Sequence, residues 1–143
     1  MTARYPLVLN GTTIQELQSG DTLTGYAQTG ATNTFTGAQI GNITTLTDGA
    51  TITPDLSVNN SFTVTLGGNR TLANPTNIVA GQSGVIIINQ DGTGSRTLSY
   101  GTYYKFTGGT APTLTTTASA QDVIAYFVVS TTRIDCVFTG NLA

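Results

Sequence analysis

Ser61-Phe62-Thr63-Val64-Thr65-Leu66 alternates at every position. Phe62, Val64 and Leu66 fall on one side of an extended chain and Ser61, Thr63 and Thr65 on the other, which is the period of a half-buried strand. Gly67-Gly68-Asn69 breaks it, Arg70-Thr71-Leu72 begins a second short strand, and Asn74-Pro75 ends that one. Further on, Gly84-Val85-Ile86-Ile87-Ile88-Asn89 is a continuous apolar run, as expected of a strand covered on both faces. Asp91 to Ser95 is a turn, and Thr97 to Phe106 carries Tyr100, Tyr103, Tyr104 and Phe106. Pro112 introduces Thr113-Leu114-Thr115-Thr116-Thr117, and Asp122 to Val129 and Arg133 to Phe138 are two more strands. Gln121 to Val129 could pass for a helix, but Val123, Ile124, Val128 and Val129 favour a strand. Seven or eight short strands with frequent turns predict an all-β fold, a β-sandwich of jelly-roll or Greek-key type. No exact internal repeat is visible.

Toward the N-terminus the apolar signal thins. Asn10-Gly11 lies between two strand-like runs and is a preferred pair for a type I′ turn, where both positions need positive φ. This predicts a hairpin over roughly Tyr5 to Leu17, with a turn at Gly20-Asp21. From Thr22 to Gly49 apolar residues are sparse, which predicts a linker or extended arm with short strand pieces. The expected division is residues 1–46, an N-terminal hairpin and arm for attachment, and residues 47–143, the sandwich.

Composition narrows the function. Charged residues make up 8% of the 143, against about 25% in an ordinary soluble domain. Thr, Ser, Asn, Gln and Gly supply the polarity instead. The net charge is −2 and the five cations stand singly, whereas nucleic-acid binding needs them clustered against phosphates. A surface this neutral favours association. No stretch has the length of a transmembrane helix and no leader is visible, so the expectation is synthesis in a cytoplasm and no membrane insertion.

The chain contains no histidine, which removes Ser-His-Asp and Cys-His systems and most zinc sites. Its acids, Glu16, Asp21, Asp48, Asp55, Asp91, Asp122 and Asp135, are dispersed, so no carboxylate pair of the glycosidase kind is evident. Asp91-Gly92-Thr93-Gly94-Ser95 has one carboxylate, few for calcium, and reads as a turn. Cys136 sits in a strand and reads as a small buried hydrophobe. The expectation is no enzyme, no metal and no cofactor. Tyr100, Tyr103 and Tyr104 could stack on sugar rings, although packing is the more ordinary use of such aromatics.

Two stretches resemble proteins of tailed-phage particles. Arg4 to Gly11 followed by Gln15 to Leu23 resembles a segment of tail-fibre and other structural proteins of marine and cyanobacterial phages (cyanophages). The stretch Ala50 to Phe138 resembles a β domain of virion proteins of the same phages, chiefly through Gly68 to Thr76, Gln90 to Leu98 and Lys105 to Leu114. The resemblance implies a structural protein exposed on the virion, made in the host bacterium. Given the short arm, it points to a head-decoration (cement) protein or a short appendage. It also implies association with major capsid or tail proteins, and a homotrimer. The arm would anchor to the particle through Leu7, Leu9, Ile14, Leu17 and Leu23, at about 1.5–3 kcal/mol for each side chain fully covered. The alternative is a tail-fibre module gripping host-surface glycan through Tyr100, Tyr103 and Tyr104.

Overall fold

The structure is a computed structural model that describes residues 7–10, 13–16, 38 and 40–142. The chain divides into two compact units, Met1–Gln39 and Ile40–Ala143. In the first, β1 (Leu7–Asn10) and β2 (Thr13–Glu16) form an antiparallel hairpin. Asn10 pairs with Thr13, and Gly11 of the expected Asn10-Gly11 turn lies outside the described residues.

The second unit is all-β, with two sheets burying a common core. Its strands are β3 (Thr44–Thr45), β4 (Thr51–Ile52), β5 (Ser61–Leu66), β6 (Arg70–Leu72), β7 (Ser83–Gln90), β8 (Leu98–Tyr100), β9 (Tyr104–Phe106), β10 (Gln121–Ser130) and β11 (Arg133–Leu142). The larger sheet has the order β3-β5-β7-β10-β11-β9 and the smaller β4-β6-β8. From β3 to β8 the chain therefore passes from one sheet to the other with every strand. Each strand lies parallel to its predecessor in the same sheet. This is a short β-solenoid of three rungs.

Pairings Thr44–Phe62 and Phe62–Ile86 set rungs of 18 and 24 residues in the larger sheet. Unequal rungs erase any fixed sequence period, which is why no repeat is legible. After the third rung, the antiparallel hairpin β10–β11 adds to β7, and β9 runs parallel to β11 at the far edge. Jelly-roll and Greek-key sandwiches are antiparallel designs. Here only the β7–β10–β11 part is antiparallel, and the all-β, two-layer class is what the sequence pattern conveyed.

The inward rows follow from the alternation. Phe62, Ile86 and Ile124 are neighbours across three strands and are buried. In the smaller sheet Ile52, Leu72 and Tyr100 stack in register. Polar side chains tie the rungs where strands end. Asp48 takes Arg70 Nε on Oδ1 at 2.8 Å and Arg70 Nη2 on Oδ2 at 2.7 Å. Asn69 Oδ1 accepts Thr97 N–H at 3.1 Å, and Asn74 Oδ1 accepts Tyr103 N–H at 2.9 Å. Asn89 donates to Thr63 Oγ1 and the Val64 carbonyl and accepts from Gln121. The outward hydroxyls of Thr71 and Ser99 meet at 2.8 Å. An Asn- and Thr-rich composition thus serves rung stacking, because each amide can donate and accept at once.

Two expectations change. Thr113 to Thr117 forms no strand; Leu114 instead plugs the core from an irregular segment. The residues 40–46, expected in the arm, lie in the second unit, because β3 pairs with β5 and Leu46 packs on the core.

Candidate functional site

The larger sheet presents an outward face whose chemistry changes along it. On β5 the outward residues are Ser61, Thr63 and Thr65, the polar half of the alternation. On β7 they are Ser83, Val85, Ile87 and Asn89, and on β10 they are Gln121, Val123, Ala125, Phe127 and Val129. On β11, Val137 pairs with Ala125, flanked in the same outward row by Asp135 opposite Phe127 and Thr139 opposite Val123. Phe127 is 50% exposed and Val137 63%. The apolar run in β7 was expected to be covered on both faces, yet within this chain only Ile86 and Ile88 are buried. The signal for this face was present in the uninterrupted apolar letters of 85–88 and 123–129. Single-strand patterns could not show that these residues share one side of one sheet.

At the β9 margin of this face lies an open groove of about 550 Å³, lined by Lys105, Phe127, Arg133, Asp135 and Val137 among others. Arg133 Nε donates to Asp135 Oδ1 at 2.8 Å. Lys105 Nζ donates to the Thr102 carbonyl at 2.8 Å.

The aromatic set lies elsewhere. Tyr104 is 6% exposed and its hydroxyl donates to the Ala73 carbonyl at 3.1 Å. Tyr100 packs edge-on to Phe106 at 4.8 Å and to Tyr104 at 6.3 Å between ring centres, with its hydroxyl buried. Tyr103 packs partly buried against the same core. Burial raises the pKa of both Tyr100 and Tyr104. Of the expected attachment residues, Leu7, Leu9 and Ile14 fall on β1 and β2, while Leu17 and Leu23 lie outside the described residues.

Each acid of the second unit is engaged by donors that shape the fold. Asp91 Oδ2 takes Arg96 Nε and Nη2, and Oδ1 takes the N–H groups of Thr93 and Gly94. The Arg96 guanidinium, with these backbone donors, holds its pKa at about 2. Asp91 is therefore the anchor of a turn. Gly94, at φ +73°, lets that turn close; a Cβ there would stand 2.6 Å from the Thr116 carbonyl. Asp55 is held by Asn77 and Ser57. Buried Asp122 accepts Thr115 N–H at 2.8 Å and Asn141 N–H at 2.9 Å, fastening the irregular segment to the bulge near the end of β11. Cys136 is buried, and desolvation pushes its thiol up to about 12.

Polar groups that stitch loops, beside a sheet face on which Phe127, Val129 and Val137 are exposed, are features of a structural domain. Comparison with known families agrees with that class. Residues 52–130 match the family described as "Putative phage tail fibre C-terminal domain", and the chain belongs to this family. The match begins at Ile52, the last residue of β4, and ends with β10, so it takes in β5 to β10 and leaves out β3. No curated protein and no solved structure matches the chain. The protein is thus a phage structural protein of the appendage kind, which associates with other virion proteins.

Proposed function

We propose that the chain is the terminal domain of a short, non-enzymatic tail appendage on the outside of the virion, joined to neighbouring virion proteins by its N-terminal hairpin and arm. The observation that carries this reading is the family match over residues 52–130, which takes in β5 to β10 of the second unit. Placement on the tail rather than as cement on the head rests on the same match. The engagement of its acids in turns and rung ties supports a role without catalysis. Glycan recognition through Tyr100, Tyr103 and Tyr104 is the weaker reading, since Tyr104 lies in the core and Tyr100 keeps its hydroxyl inside.

The test is immunogold labelling of intact particles with an antibody to residues 50–138. Label at the tail tip or collar supports the appendage. Label spread over the head assigns decoration instead and removes the tail placement. A glycan array probed with the chain and with Tyr103→Ala addresses the alternative: binding that this substitution abolishes would restore it.

A further inference from the structure

We propose that the free edge of β11, beyond the end of β9, takes up an extended, uncharged segment of a neighbouring virion protein as an added strand. Strand β9 lies along β11 only at Ile134, Asp135 and Cys136. The chain then leaves the sheet through Gly108 and Gly109, at φ +70° and +73°. β11 itself continues to Leu142, paired on its other side with β10. From Val137 to Leu142 it therefore keeps an edge with no strand beside it among the described residues. The remaining sheet edges, β3, β4, β8 and β9, are only two or three residues long. Ile134 N–H reaches the Tyr103 carbonyl at 2.9 Å, on the β9 side. Backbone groups alternate in direction along a strand, so Phe138 turns its N–H and carbonyl to that same side, past the end of β9. Unpaired edge groups of this kind are a template for another strand.

The surroundings select the occupant. A hollow of about 170 Å³ lies beside this edge, lined by Cys136, Val137 and Phe138 of β11 and by Thr107, Thr110 and Pro112 of the segment leaving β9. A lone extended chain fits between these two walls. The edge of a folded sheet brings a further strand about 4.8 Å behind it, which meets the wall at Thr110 and Pro112. The edge thus suits a donated segment rather than the sheet of a second copy. Only a peptide backbone offers donors and acceptors at the spacing of a strand, and in this mode alternate side chains supply the selectivity. The lining of the hollow carries no charge, so the matching segment is uncharged. Phe138 packs partly buried against the core, which calls for an apolar side chain beside it. This inference rests on the chain's association with other virion proteins. It adds a contact that does not involve the N-terminal arm and does not depend on placement at head or tail.

The experiment is photo-crosslinking of the full chain in assembled particles, with p-benzoylphenylalanine in place of Thr139, an exposed residue of this edge. After irradiation, mass spectrometry identifies the joined peptide. The expected partner is an uncharged segment of a different virion protein. The same probe at Thr53, exposed just past β4, should not yield that peptide. Natural edge strands use lysine to prevent pairing, so Val137→Lys in the probe-bearing chain should lower the adduct yield by about tenfold or more. Val137 is 63% exposed, so its circular dichroism should not change. Leu142→Lys, at a position 41% exposed, should act in the same direction if that variant misfolds. No adduct to another virion protein overturns the proposal. So does an adduct only to a second copy of this chain, or only to residues 1–39 of the chain itself. An adduct to a head protein supports the strand addition while removing the tail placement, so the two readings fail separately.

Discussion

At the scale of single residues, the buried polar groups act as fasteners. Asp122 sits at the inward position beside Ile88 and would be apolar if packing alone governed it. It is tolerated because both oxygens receive backbone N–H groups, and a buried carboxylate costs little only when so satisfied. Asp122→Asn turns one acceptor into a donor facing a donor. It should lower stability by about 1–3 kcal/mol, read from urea midpoints. Cys136 illustrates the opposite case, a group burial makes inert. Because its thiol is pushed up to about 12, it stays protonated at pH 8. A thiol-reactive chromogen should label it only in denaturant, and prompt labelling of the folded chain would contradict the burial.

At the scale of elements, rung stacking depends on close backbone approach. A Cβ on Gly84 would lie 1.7 Å from the Asn60 carbonyl and 2.9 Å from the Tyr126 hydroxyl. That hydroxyl itself donates to the Asn60 carbonyl at 2.9 Å. Gly84→Ala must therefore push β5 and β7 apart where β7 begins. It should cost about 1–3 kcal/mol, the usual scale of overpacking, seen as a lowered melting temperature with the strand signal retained at low temperature. The hairpin β1–β2 belongs to a different compact unit from the rungs. Deleting residues 2–23 should leave a cooperatively melting domain that no longer co-sediments with particles. Full binding by the truncated chain would refute anchoring by the arm.

At the scale of the whole molecule, few charges carry the pH response. Asp91 is held at about 2 by Arg96 and backbone donors, and Asp48 is lowered chiefly by Arg70. Asp55 is lowered chiefly by Asn77. A carboxylate with a depressed folded pKa contributes stability that is present above its unfolded value of about 3.9. That contribution is lost as pH falls through the folded pKa. Melting temperature should thus hold from neutral pH down to about 4 and fall toward pH 2, with a shallower fall in Asp91→Asn. A flat profile across that window would mean these carboxylates are not held in the folded state. Since the ion pairs are local and surface-placed, added salt should change the melt little at neutral pH.

The strands themselves were legible one by one. Ser61 to Leu66 announced both its conformation and its buried face, because period two is a property of the local chain. Strand-forming β-branched residues with Gly and Asn stops likewise determined an all-β chain, and the lack of histidine removed Ser-His-Asp and Cys-His systems, without any three-dimensional information. What they could not determine was who neighbours whom. Parallel rungs, the insertion of β10–β11 between β7 and β9, and the irregular path that delivers Leu114 to the core are long-range pairings, and the intervening loops of varying length carry no code for them. The same limit hid the outward field. Val85, Phe127 and Val137 are far apart in the chain, and only sheet formation sets them on one face. The surroundings of the tyrosines were hidden for a related reason: that Phe106 stands beside Tyr100 is decided by what the fold brings together.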